Sequence, residues 1–219
     1  MTRRFFITAT DTGVGKTGVA CALLEELAAR GLEPFAFKPY ESGGGGDGER
    51  LRVAAGGRQA IESVTLHRFE APLAPGIAAK LERRSPSWRH TLAGFRRLGR
   101  GAGVVEGAGG LFVPLDGLHD VIDLIVALDL PVIVVARAGL GTINHTALTL
   151  AELARRRQRV AAVVLVKSAR TADESERWNR AELERRFPRT RFVGPIPFVA
   201  QARRRAEVMR RAVGELTRW

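Results

Sequence analysis

Phe5-Phe6-Ile7, Val104-Val105, the run from Val132 to Ala136 and the run from Val163 to Val166 are apolar at consecutive positions. A strand with one solvated face alternates apolar and polar residues, so runs of this kind demand a sheet covered on both sides. The stretches between them carry helical spacing, as in Val19, Ala20, Leu23, Leu24 and Leu27. The chain reads as strands at 4–9, 34–38, 103–106, 131–136, 160–166 and 191–196. Helices are expected at 17–30, 51–55, 74–83, 88–100, 121–128, 142–157, 173–187 and 203–216. Gly31 stops the first helix, and Gly43 to Gly46 form a loop. Such alternation predicts a three-layer α/β fold, a parallel sheet with helices on both faces. No internal repeat or dividing linker interrupts it, so one domain over 1–219 is expected. Ligands of such sheets sit at the C-terminal ends of the strands. The chemistry is therefore expected just after Ala9, Lys38, Glu106, Ala136 and Val166.

Composition narrows the function. Hydrophobic residues make up 45% and charged residues 26% of the 219, which excludes a disordered chain, a fibre and a channel. The longest apolar run, Leu124 to Ala136, is broken by Asp129 and Pro131 and falls short of the roughly 20 residues of a spanning helix. The N-terminus enters Phe5-Phe6-Ile7 directly, with no signal-peptide pattern, so a cytoplasmic protein is expected. A lone cysteine, Cys21, excludes an intrachain disulfide and a cysteine metal cluster. The net charge of +12 raises the question of a nucleic-acid or membrane partner. The excess is arginine spread along helical stretches without interleaved aromatics, the pattern of solvated faces, and neither partner is expected. Lysine occurs only at Lys16, Lys38, Lys80 and Lys167, so each one stands out.

Thr10-Asp11-Thr12-Gly13-Val14-Gly15-Lys16-Thr17, between a strand and a helix, is similar to a phosphate-binding P-loop. Backbone N–H groups of a glycine turn and a helix start form an anion cradle. Lys16 would reach the β/γ-phosphates and the Thr17 hydroxyl would meet Mg²⁺. Thr10 stands where the strict pattern has its first glycine. A chance strand–turn–helix junction is the plain alternative, and Gly15-Lys16-Thr17 in this context weighs against it. Lys38 ends a strand and faces the same crevice. An exposed strand-end cation is the commoner fate of a lysine, but the position facing the crevice argues against it here, and from that strand end Lys38→Ala is expected to leave no buried charge unpaired. Glu106 ends a buried strand ahead of Gly107-Ala108-Gly109-Gly110, where a carboxylate holds Mg²⁺ directly or through water. Asp47 could be a second metal ligand or the N-cap of the next helix, and taken alone it reads as a cap. The helix start near Thr142, with Gly139 and Gly141 before it, offers free N–H groups to a carboxylate.

Together with Lys38-Pro39-Tyr40-Glu41-Ser42-Gly43, Val105 to Gly110 and Leu140-Gly141-Thr142-Ile143-Asn144-His145, this P-loop resembles dethiobiotin synthetase over nearly the whole chain. Asp47 with Leu51 and the segment Glu70 to Pro75 fit the same family. The resemblance implies a P-loop NTPase type fold and an ATP- and Mg²⁺-dependent ring closure. CO₂ or bicarbonate and 7,8-diaminononanoate form a carbamate; ATP phosphorylates it; the second amine closes the ureido ring of dethiobiotin. It implies a homodimer with the site at the interface. By resemblance Lys16 and Lys38 carry the chemistry, and Thr17, Asp47 and Glu106 hold the metal. Gly13, Val14, Gly15, Lys16, Thr17, Gly18, Asp47, Glu106, Gly107, Ala108, Gly109 and Pro197 hold the nucleotide. Thr12, Ser42, Gly109, Gly141, Thr142 and Asn144 meet the substrate. His145 reads as a packed histidine.

The chain departs from the family at Gly13, often Glu there, and at Gly139, usually Lys. Val166 replaces an Asn that contacts adenine, and Gln201 and Ala202 lie where an acidic residue is expected. Base selectivity is therefore expected to be relaxed, with CTP or GTP substituting for ATP. A partition- or septum-positioning ATPase shares the fold but carries a signature lysine five residues before the P-loop lysine, where this chain has Asp11. A cobyrinate-type amide ligase would need a glutaminase domain, for which there is no room. A degenerate, non-catalytic homologue is the remaining alternative.

Overall fold

The computed structural model describes residues 3–167 and 174–217. In chain order the elements are β1 (Arg4–Ala9), α1 (Lys16–Ala29), β2 (Phe35–Phe37), β3 (Tyr40–Ser42), α2 (Asp47–Ala54), α3 (Ile61–Val64), β4 (His67–Phe69), α4 (Pro75–Leu81) and α5 (Trp88–Arg97). There follow β5 (Gly103–Glu106), α6 (Val121–Leu128), β6 (Val132–Arg137), α7 (Thr142–Arg155), β7 (Val160–Val166), α8 (Glu176–Arg186), β8 (Phe192–Ile196) and α9 (Ala202–Val213), closed by a 3₁₀ turn over Gly214–Thr217. Asp173, the expected start of the helix before β8, lies outside the described residues.

Six strands form one parallel sheet in the order β2-β5-β1-β6-β7-β8. The consecutive apolar residues are explained by its two covered faces. Phe5, Ile7, Val104, Ile133, Val135 and Val164 point into one core with Val19, Leu23 and Leu24 of α1 and Met209 of α9. Phe6, Val105, Val132, Val134, Val163 and Leu165 point into the other, with Ile122 and Ile125 of α6, Leu153 of α7 and Leu183 of α8. Successive strand residues face opposite sides, so each strand feeds both layers.

A separate parallel pair, β3 and β4, was not expected from the sequence. It sets Tyr40 opposite His67, Glu41 opposite Arg68 and Ser42 opposite Phe69. Three-residue strands are too short to show a period. The pair is built from outside: the Lys38 N–H donates to the Val64 carbonyl and the His67 N–H to the Pro39 carbonyl, each at 2.9 Å. The expected C-terminal helix through 216 ends at Val213, the last turn tightening to 3₁₀.

Candidate active site

β1 lies between β5 and β6, so the loop after Ala9 opens beside the ends of both neighbours. Gly13 has φ +70° and Gly15 φ +103°, a left-handed region that glycine enters without strain. Gly15 is the N-cap of α1, and the first helical bond runs from the Val19 N–H to the Gly15 carbonyl at 3.1 Å. The amides of Lys16, Thr17 and Gly18 thus precede the helical ladder, the arrangement of an anion cradle. A side chain at Gly18 would come 2.7 Å from Met209 Sδ, so that glycine also lets α9 dock on α1. Val14 is buried beneath the loop.

Lys16 is buried and its Nζ donates to the Asp11 carbonyl at 3.4 Å. Burial holds its pKa below the usual lysine range, outweighing the attraction of Glu106, Asp47 and Asp11. An ammonium held this way lacks a full counter-charge and suits an incoming anion. Asp11 itself pairs with Arg137 at the end of β6, tying the loop to the neighbouring strand.

Lys38 is not an exposed strand-end cation, as its position facing the crevice predicts, but it is buried against a carboxylate, which the sequence position does not show. It is 5% exposed, and Glu106, at the end of the adjacent strand, is 1% exposed. Lys38 Nζ donates to Glu106 Oε1 at 2.8 Å and to the Gly107 carbonyl at 3.4 Å, and lies 3.9 Å from Asp47 Oδ2. Burial opposes the Lys38 charge, but the attraction and hydrogen bond of Glu106, with Asp47 and Glu41, raise its pKa above the ordinary value. Removing this side chain would therefore strand a buried carboxylate, contrary to the sequence expectation.

Thr17 Oγ1 donates to the same Glu106 Oε1 at 3.0 Å. Glu106 Oε2 is buried with no protein partner. A buried acceptor is normally satisfied, and this oxygen is left unpaired by the protein. Asp47 is the first residue of α2, and Gly46 is its N-cap. The capping anion is Glu41, whose Oε1 accepts the Asp47 N–H at 2.5 Å and the Gly48 N–H at 3.4 Å. The capping role of Asp47 is thus excluded, and its carboxylate lies between Lys38 and Arg50, 3.2 Å away. Glu41 stood in the quoted motif without an assigned role.

Five expected residues thus converge: Lys16, Thr17, Lys38, Asp47 and Glu106. Of the others, Gly107 joins them only through its carbonyl, which accepts from Lys38. Gly107 lies under the site, where a Cβ would meet Val121 at 3.0 Å and Phe6 at 3.1 Å, so its lack of side chain serves packing. Gly109, φ +57°, packs next to Val113 and Thr12, and Ala108 between them is half-buried. Ser42 Oγ donates to the Leu73 carbonyl at 2.6 Å, fastening β3 to the Glu70 to Pro75 segment. Thr142 is fully buried and bonded to Thr146, so its hydroxyl is withdrawn from the surface. Gly141, φ +88°, and Asn144 are exposed at the start of α7, and Pro197 is exposed after β8. His145 is exposed and faces a cleft of about 680 Å³ shared with Asp11, Thr12, Phe112 and Leu148, so the packed-histidine reading is wrong. A helix carries one solvated face, and residue 145 falls on it. Val166, 7% exposed, packs under the P-loop, 3.4 Å from where a Cβ of Gly15 would lie.

A family model described as an AAA domain matches residues 3–206. An ATP-dependent dethiobiotin synthetase of Anaeromyxobacter dehalogenans strain 2CP-C is 48% identical over 189 residues, 84% of this chain and 85% of that protein. One from Anaeromyxobacter sp. strain K is 44% identical over 218 residues, 97% of each. The chain belongs to the ATP-dependent dethiobiotin synthetase family. As a member of that family it is a ligase-type enzyme, which removes the non-catalytic alternative. The MinD cell division protein of Aquifex aeolicus shares the architecture, with a TM-score of 0.54 over 98% of this chain and 95% of that one. At 14% identity that likeness shows the fold alone. Among the described residues, no helix of this dethiobiotin synthetase family member is long and apolar enough to cross a membrane.

Proposed function

We propose that this chain, acting as one domain over 1–219, closes the ureido ring of dethiobiotin from 7,8-diaminononanoate, CO₂ or bicarbonate and ATP, in the cytoplasm. The observation that carries the reading is the buried convergence of Lys38, Thr17 and Glu106 beside the P-loop, with one Glu106 oxygen unpaired.

Thr17, Asp47 and Glu106 would hold Mg²⁺. Among the described residues no group of three or more His, Cys, Asp or Glu is placed to hold a metal ion. A hydroxyl and two carboxylates fit the few protein oxygens that Mg²⁺ takes alongside phosphate. Bound there, the ion would neutralise charge on the β- and γ-phosphates. The P-loop amides and Lys16 hold the triphosphate. Lys38, fixed by Glu106, is aimed at the space between the γ-phosphate and a carbamate, where negative charge accumulates during transfer. The amine nitrogen attacks CO₂ and loses a proton; a carbamate oxygen then attacks the γ-phosphorus and ADP leaves. The second amine attacks the activated carbon, loses a proton and expels phosphate, closing the ring.

Phe112 and Leu148, each 63% exposed, border the 680 Å³ cleft. Apolar side chains at a cleft mouth favour cover by a second copy. We assign the active form as a homodimer in which the start of α7, with Gly141, the Thr142 backbone and Asn144, receives the substrate carboxylate. Thr12, Ser42 and Gly109 complete that site. The test is turnover: purified protein with diaminononanoate, bicarbonate, ATP and Mg²⁺ yields dethiobiotin and ADP in equal amounts. ADP formed without dethiobiotin would overturn the assignment.

A further inference from the structure

The start of α2 is held from outside the helix. Gly46, Asp47 and Gly48 form its first turn, and Gly46 offers no side-chain cap. Glu41, 7% exposed on β3, supplies the missing acceptor by taking the N–H groups of Asp47 and Gly48. β4 holds Glu41 in register opposite Arg68. Thr65 closes the turn from another side: a Cβ on Gly48 would fall 2.1 Å from Thr65 Oγ1 and 3.1 Å from Glu41 Oε2. Only glycine lets both groups approach. The turn so clamped presents the Asp47 carboxylate 3.9 Å from Lys38 Nζ, while Arg50 at 3.2 Å draws it toward solvent.

We propose that Glu41 is a positioning residue: by holding the Asp47 and Gly48 amides it fixes the start of α2, so that Asp47 faces the Lys38–Glu106 pair. A carboxylate at a helix N-terminus gains from the free N–H groups and the dipole. Groups that orient a metal ligand govern metal affinity without touching the metal. The inference rests on the reading of Asp47 as a Mg²⁺ ligand.

The experiment uses Mn²⁺ as the probe, with ADP-loaded full-length protein and free Mn²⁺ followed by its paramagnetic resonance. Glu41→Gln keeps the shape and removes the charge. Gly48→Ala keeps the charge and forces the turn away from both Thr65 and Glu41, so it opens the same clamp by a second route if the first variant does not fold. Each is expected to weaken Mn²⁺ binding by about tenfold, the scale of an outer partner, and to speed amide exchange at residues 47 and 48. Asp47→Asn should weaken Mn²⁺ similarly, and the Glu41→Gln/Asp47→Asn double variant should bind no worse than Asp47→Asn alone. Native Mn²⁺ affinity in Glu41→Gln and Gly48→Ala, beside weakened binding in Asp47→Asn, would overturn the positioning role only. Additive losses in the double variant would overturn it too. Native affinity in Asp47→Asn would overturn the metal reading and the proposal with it.

Discussion

The Lys38 ammonium and the Glu106 carboxylate meet at 2.8 Å in a site that leaves them 5% and 1% exposed. They come from adjacent positions in the sheet, just beyond β2 and at the end of β5. The pair is at once a structural and a chemical element, because each charge offsets the other in a buried site while the second Glu106 oxygen stays unpaired.

Lys38→Met is expected to lose both activity and stability. The rate should fall roughly 10²-fold or more, the cost of one preorganised stabiliser. Stability should fall by about 3 kcal/mol, since Glu106 would stay buried without its partner. Adding Glu106→Gln should recover most of that stability and none of the activity. Urea unfolding and initial rates on the three proteins separate the two effects.

The sheet and the P-loop are legible in the sequence because their signals are local. Consecutive β-branched residues specify a two-faced sheet, and Gly15-Lys16-Thr17 after β1 specifies the cradle. The burial of Lys38 is not local. It is set by the Val64 carbonyl and by Glu106, distant in sequence and brought over by the β2–β5 pairing. Glu41 was unreadable for the same reason: its partners lie six and seven residues on, across a glycine loop. The signal available was negative, a helix start at Gly46-Asp47-Gly48 with no capping side chain ahead of it.

Stability should fall as pH drops from about 6.5 to about 4. Burial and the neighbouring His90, with Arg84, push the His67 imidazole down to about 4 although Asp116 pulls the other way. Its Nε2 lies 3.1 Å from Thr91 Oγ1, which also meets the Tyr40 hydroxyl at 3.0 Å. In that window the unfolded chain binds a proton that the folded chain refuses, so acid favours unfolding. Melting temperatures from pH 7 to 4.5 should decline, and His67→Gln should flatten the decline. An unchanged slope in that variant would assign the acid sensitivity to other groups.

Nucleotide choice should be permissive. Val166 offers neither donor nor acceptor to a base, and it is committed to packing under Gly15. An apolar wall discriminates weakly, so ATP should be preferred over GTP and CTP by well under ~10³-fold in kcat/KM. A larger preference would mean that backbone groups or another side chain read the base.

The exposed apolar rim should be an interface. Leu148→Glu places a charge at the mouth of the cleft that α7 shares with Asp11 and Thr12 of the P-loop. It should yield a folded monomer by light scattering, with turnover reduced at least ~10²-fold if the partner's helix start binds the substrate carboxylate. A fully active monomer would remove the interface from the account.

In the proposed reaction this site activates a carbamate by phosphorylating its oxygen. The most direct test is oxygen transfer during one turnover with ¹⁸O-labelled CO₂, ATP, Mg²⁺ and diaminononanoate, at times short enough to limit exchange with water. One ¹⁸O atom is expected in the released phosphate, carried from the carbamate, and one in the ureido carbonyl of dethiobiotin. Unlabelled phosphate formed together with labelled dethiobiotin would contradict the proposed reaction.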